Sequence, residues 1–392
     1  MQQKQLSLVG LGIVSLLYSA AGSAYESSDI SINGFGSIVA GQTLDKDEAI
    51  YGYDDNLSFQ KESRFALQVA APVGEKFSAT AQIMARGEDD FDPQFEWAYV
   101  SYQASENFIV MAGRQRFNLY KYSDYVDVGY AYHWIRPPQG VYSIPFNSGN
   151  GLGFLYSRSL DDMDIHVSYK MLAEEISDYV PSGTSGVQPA RFNANLSHIL
   201  NFDITRDSLN FGLNFGLVPE LSYDASELVA LEAALAGSLT AQEVEDIMKE
   251  VRIDNEEVQF FGAYLGYDVG DWFILSEYTQ YEFADPNAFS DQTSLYLSAG
   301  IRVDEFTFHA SYGEDENKPS SNIDQSVPVP ALASLVKSAI TAQQEDSKTY
   351  SVGARWEAEG GVALKIDFTS FDDDHDDSSD ADVISVGIDF VY

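Results

Sequence analysis

Three arginines, a lysine and nine aromatic or imidazole rings crowd into residues 113–142, GRQRFNLYKYSDYVDVGYAYHWIRPPQGVY. The cations Arg114, Arg116, Lys121 and Arg136 can attract and sort charged solutes, with Asp124 and Asp127 as counter-charges inside the same segment. Charge placed at a narrow point acts strongly, because a passing ion sheds part of its hydration there. The rings can pack the segment against a wall or offer a path to a sugar-like solute. Packing is the favoured role, since a connection this long needs its own side-chain contacts to hold one shape. Pro137 and Pro138 stiffen the exit.

Other chemistry is poorly served. The five histidines, at 133, 166, 198, 309 and 375, stand in no spacing that marks a triad or a metal site, and His198 falls on the apolar phase of its strand. Nucleophilic or general-base catalysis needs a positioned pair, so neither catalytic residues nor a cofactor is expected, and the chain is not read as an enzyme. The dense carboxylate runs LDKDEAIYGYDDN, GEDDFD and FDDDHDDSSDAD could attract hard divalent cations. The last lacks the glycine and spacing of a calcium loop, so no metal site is assigned. Solvated acid, bridged by divalent cations to lipopolysaccharide, is the expectation.

The elements that hold these residues follow from composition and period. Residues 1–24 carry Lys4, the apolar run LSLVGLGIVSLLY and the small-residue end SAAGSA, the pattern of a cleaved secretory signal. After it no apolar run approaches the roughly 20 residues a spanning helix needs. The chain has no cysteine, so no disulfide framework supports it. A net charge of −39 argues against nucleic acid as a partner, and 45% hydrophobic content argues against disorder. The aromatic share, 13% with 24 Tyr and 24 Phe, suits strands with rings at membrane interfaces.

Period-2 alternation recurs along the whole mature chain. In SLNFGLNFGLV, Leu209, Phe211, Leu213, Phe215 and Leu217 point one way, and Asn210, Gly212, Asn214 and Gly216 the other. Sixteen strands are predicted, near 29–41, 57–72, 76–86, 93–103, 107–115, 149–158, 163–172, 190–202, 207–217, 256–269, 271–283, 292–303, 305–314, 347–358, 361–371 and 381–392. A soluble antiparallel sandwich would alternate too, but the connections decide. Short ones (PVGE, ASE, LDD, TRD, DVGD, VDE, EAEGG) alternate strictly with long polar ones, the habit of outer-membrane barrels. The fold class is therefore all-β, a transmembrane antiparallel barrel over 25–392. Loops 225–251 and 330–346 are rich in Ala, Leu and Glu and are expected to be helical inserts.

The signal, the terminal alternation Val386, Ile388, Phe390, Tyr392 and the segment GRQR...YSDYVDVGYAYHWIRPP together resemble a Gram-negative general porin of the sixteen-strand type, similar to porins of marine gammaproteobacteria. Tyr392 departs from the usual terminal Phe. The resemblance implies a homotrimer in the outer membrane, and a third long loop, 116–148, folded into the barrel as the constriction. That would place Arg114, Arg116, Lys121, Asp124, Asp127 and Arg136 in the pore.

With the apolar phase outward, Arg64, Arg86, Lys170, Arg191, Arg302, Arg355 and Lys365 fall on the inward phase and make the pore wall basic. A charge on the lipid face costs about 2–4 kcal/mol near the midplane, so avoidance alone turns charges inward, but it does not choose their sign. Inward acids are fewer, chiefly Glu62, Glu96, Asp164, Glu357, Asp367 and Asp389. The expected function is passive diffusion of small hydrophilic solutes, with a basic constriction favouring anions or neutral oxygen-rich molecules. The alternative is a plugged barrel whose acidic, helical loops act as an adhesin or surface receptor.

Overall fold

The computed structural model describes residues 30–46, 48–144, 147–179, 190–286, 289–341 and 344–392. The expected signal, 1–24, lies outside them. Among the described residues sixteen strands form one closed sheet. They are β1 (Ser31–Thr43), β2 (Arg64–Pro72), β3 (Phe77–Arg86), β4 (Pro93–Ser105), β5 (Phe108–Arg116), β6 (Ser148–Leu160), β7 (Met163–Tyr179) and β8 (Ala190–Arg206). The second half is β9 (Leu209–Asp224), β10 (Ile253–Asp268), β11 (Trp272–Phe283), β12 (Ser290–Val303), β13 (Phe306–Pro319), β14 (Glu345–Glu359), β15 (Val362–Asp373) and β16 (Ala381–Val391). Each pairs antiparallel with its sequence neighbours, and β1 closes the ring on β16 from Phe35↔Val391 to Thr43↔Val383. Closure leaves no strand edge with unpaired amides, the condition for crossing lipid with sheet.

The alternation reads out as two faces. On β12, Leu295, Leu297, Ile301 and Val303 are exposed, while Ser294, Tyr296 and Ser298 are buried inside the ring. An outward belt of this kind, repeated on strand after strand, would aggregate in water and is solvated by lipid tails. That excludes the soluble sandwich. Seven connections are tight, and two of them turn through Asp207 (φ 49°) and Asp304 (φ 53°), a left-handed backbone that a short polar side chain tolerates.

Two expectations are adjusted. β2 begins at Arg64 rather than near 57, because residues before it fold back as a loop that bridges Gly41 to Ser58. The insert 225–251 is two helices, α1 (Ser226–Ala236) and α2 (Ala241–Val251), broken at Gly237. Thr240 starts α2 with a capping box: its hydroxyl accepts the Glu243 amide, and the Glu243 carboxylate accepts the Thr240 amide. In the other insert α3 (Pro330–Thr341) packs Leu332, Val336 and Ile340 against Leu235, Val244, Ile247, Met248 and Val251. The two long loops thus share one small apolar core outside the barrel.

Candidate functional site

β5 leads directly into the segment 117–144, and its geometry starts with a glycine. Gly113 sits at φ 130°, and a Cβ there would stand 2.3 Å from the Ala98 carbonyl oxygen, so no other residue fits. The segment then runs inside the barrel and is tied to its wall along its length. Phe117 and Leu119 enter an apolar cluster with Phe192, Ile199, Leu221 and Phe260. Asn214 Nδ2 donates to the Leu119 carbonyl at 3.0 Å, Asn201 Nδ2 donates to the Asn118 carbonyl, and Lys170 Nζ donates to that of Arg116 at 2.9 Å. Glu277 accepts the Lys121 amide at 2.7 Å and the Tyr142 and Tyr296 hydroxyls at 2.8 and 3.1 Å.

Farther along, Gly129 lies so close to the wall that a Cβ would meet the Asp389 carboxylate at 2.2 Å. Lys365, paired with Asp389 at 2.8 Å, donates to the Gly129 and Trp134 carbonyls at 2.6 and 2.5 Å. Arg355 donates to the Tyr130 and Tyr132 carbonyls at 2.7 and 2.8 Å, and Asp367 accepts the Ile135 amide at 2.7 Å. Trp134, 1% exposed, donates its indole N–H to Ser311. The Gly140 carbonyl accepts from Gln292 and Ser294, each at 3.1 Å. Tyr122, Tyr132 and Trp134 contact one another edge-on or tilted, with centroids 5.8–6.2 Å apart. The rings therefore serve packing.

The charges gather around Asp127. Arg64 and Arg86 each approach it at 3.1 Å, Arg116 hydrogen-bonds it directly, and Glu96 joins by pairing with Arg86 at 2.5 Å. Burial by itself would raise the Asp127 carboxyl, but Arg86, Arg116 and Arg64 together hold it well below the usual carboxylate range. Burial pushes His133 well below the ordinary imidazole value, with His309 and Lys365 adding to it, so His133 is neutral beside Ser298. Burial also lowers the Lys121 ammonium, against the pull of Asp203 and Glu277.

Arg116, Lys121, Asp124, Asp127 and Arg136 of the expected constriction all lie within the barrel. Lys121 bonds Asn210 and sits 4.5 Å over the Tyr264 ring, Asp124 accepts from Asn118 at 2.8 Å, and Arg136 clamps Glu62 and reaches Ser385 at 2.8 Å. Arg114 is a correction. It occupies the register row of the exposed residues Ala98 and Asn150, outward, and forks onto Glu174 at 2.7 and 2.8 Å. The pairing runs unbroken through Gly113, so Arg114 keeps the outward phase of Val110 and Ala112 rather than joining the inward loop.

Of the wall set, Arg64, Arg86, Lys170, Arg355 and Lys365 meet the loop as described. Arg302 lies at the short-turn end, on Asp268 at 2.8 Å and the Gly270 carbonyl. Arg191 is a second correction: it stands between buried Ala190 and Phe192, points outward and is 60% exposed beside Glu175. The wall is also less basic than its arginines suggested. Glu62, Glu96, Glu357 and Asp389 each neutralise a cation. Glu277, Asn201, Asn214 and Ser298 were not anticipated as anchors. The inward phase of SLNFGLNFGLV did mark Asn214, and a carboxylate on the inward phase of FILSEYTQ would have marked Glu277.

Two cavities flank the loop. One, of about 580 Å³, lies toward the long-loop ends of β8–β15; the other, about 260 Å³, lies between the loop and Glu62, Arg64 and Arg86. Among the described residues no three His, Asp or Glu side chains converge as a metal site.

The family model described as Gram-negative porin matches residues 13–392. No curated protein sequence matches. Among solved structures, OmpT of Vibrio cholerae in its in-vitro folded trimer form is similar at a TM-score of 0.55 and 12% identity, over 93% of this chain and 99% of that one. Salmonella typhi OmpF in complex with daunomycin is similar at 0.58 and 12%, over 93% and 97%. A multiply substituted Rh. blastica porin is similar at 0.50 and 15%, over 93% and 100%. At these identities the likeness concerns the fold.

Proposed function

The chain belongs to the Gram-negative porin family, a barrel of the outer membrane, and from that premise we propose that it conducts small hydrophilic solutes passively past its inward-folded third loop. Family and fold point to a channel, and no catalytic role is assigned. The observation that carries the reading is the loop itself: residues 117–144 are held inside the closed sheet by wall side chains, with a cavity on either side. A path narrowed by a fixed loop sorts solutes by size.

Selection by charge is weak in this reading. Most wall guanidiniums are already matched by carboxylates, so fixed charge nearly cancels at the throat. Lys121 and Lys170 form no ion pair among the described residues and supply what anion preference there is. Neutral, oxygen-rich solutes are the favoured cargo. Like the V. cholerae protein solved as a trimer, the chain is assigned a homotrimeric state, and its acidic outer loops are assigned to lipopolysaccharide through divalent cations.

Recording single channels in a planar bilayer under a salt gradient tests this. Stepwise conductance is expected, with a reversal potential that shifts toward cations in Lys170→Ala. Folded protein that gives no conductance would instead support a plugged barrel acting as an adhesin or receptor, a reading favoured by how many strands hold the loop.

A further inference from the structure

The larger cavity is not lined as a water path would be. Phe192, Ile199, Leu221, Val258 and Phe260 turn inward and meet Phe117 and Leu119 of the loop, so one wall is hydrocarbon. Leaving such surface wet costs about 25 cal/mol per Å², which a solute with an apolar body recovers. The facing wall is polar and acidic, with Asp315 and Glu345 among Gln292, Asn317 and Ser347. Asp315 accepts from Gln292 and Ser294, and Glu345 from Ser347 and Asn317. Neither forms an ion pair among the described residues, and no lysine or arginine among them lines the cavity. Asp315 and Glu345 thus face the cavity with no cation beside them among the described residues, unlike Asp127, Glu96 and Asp389, which each sit against an arginine or lysine.

We propose that the cavity binds an amphiphilic cation, an aromatic or branched aliphatic body carrying a protonated amine. The body lies on the β8–β10 wall and the ammonium faces Asp315 and Glu345. The volume, about 580 Å³, is that of a small-molecule site. This depends on the channel reading only in that solute must reach the lumen.

Titration calorimetry of the protein in lipid nanodiscs, with empty discs subtracted, tests it using three probes of one shape: phenylbutylammonium, phenylbutanol and phenylbutyrate. The ammonium should bind tightest and the carboxylate weakest. Asp315→Asn with Glu345→Gln should weaken the ammonium about tenfold, to the level of the alcohol, which is about 1.4 kcal/mol. Ile199→Ser with Phe260→Ser should remove binding of all three, and Leu119→Ser on the loop replaces that pair if it does not fold. Equal or tighter binding of phenylbutyrate, variants that bind as the wild type does, or no binding at all would overturn the proposal. Conductance of the same preparation separates the two readings: current without binding sinks the cavity assignment alone, and binding without current sinks the channel alone.

Discussion

Replacing Asp127 with Asn should loosen the first half of the inward loop. In the wild type this carboxylate faces Arg64 and Arg86 at 3.1 Å and hydrogen-bonds Arg116, all in a largely dry setting. The amide keeps the shape but leaves three guanidiniums with only Glu96 among them. Breaking a buried pair by removing one charge costs about 3–5 kcal/mol, so the ratio of released to docked loop should rise by roughly two to four orders of magnitude. Lys365 and Arg355 still hold Gly129, Tyr130, Tyr132 and Trp134, so movement should be confined to about residues 118–128.

The assay is current noise and sub-conductance visits in single channels between pH 3 and 7. In the wild type the docked carboxyl titrates well below the ordinary 3.8, while a released one titrates near 4. The charge therefore stabilises docking fully above about pH 4, and that contribution is lost only as pH falls through the docked value. Wild-type noise should stay low as pH drops through 4, and Asp127→Asn should be noisy at every pH. Identical noise in the two proteins would refute the clamp.

Arg114→Ala, whose side chain points outward to Glu174, should leave conductance and reversal potential unchanged, whereas Arg116→Ala should alter both in the same bilayer recordings. Gly113→Ala should lower the yield of refolded, heat-modifiable barrel on gels, because its Cβ has no room beside the Ala98 carbonyl. Ile247→Asn should cost the helical loops about 2–5 kcal/mol and expose them to protease, with the β-sheet signal in circular dichroism intact. Thr240→Ala should cost α2 about 1 kcal/mol, seen as earlier loss of helical signal on heating.

Much of this was legible residue by residue. A lipid-facing strand must be apolar on one side and is free to be polar on the other, so SLNFGLNFGLV declared both its conformation and its two faces. Strict alternation of short and long connections fixed the strand count and which loop was third. The Ala, Leu and Glu content of 225–251 and 330–346 marked helical inserts, and the clustered rings at 120–134 marked a segment held by packing.

What alternation cannot carry is any place where the count slips. Leu196 takes φ 46°, and the β7–β8 register shifts between Leu172 and Glu174; β10 shifts against β9 between Ile253 and Val258. One extra residue turns every later side chain to the other face, which is how Phe192 and Ile253 come to line the lumen and Arg191 comes to leave it. Pairing of charges is equally beyond sequence. The sequence offers Asp127 and Glu96 as inward acids, but only the closed ring shows that Arg64, Arg86 and Arg116 gather on these two carboxylates, across separations of 10 to 63 residues along the chain. Local period thus determined strands, faces and membrane. The balance of charge and the apolar pocket above the loop were decided only by closure, because both depend on residues that meet across the barrel.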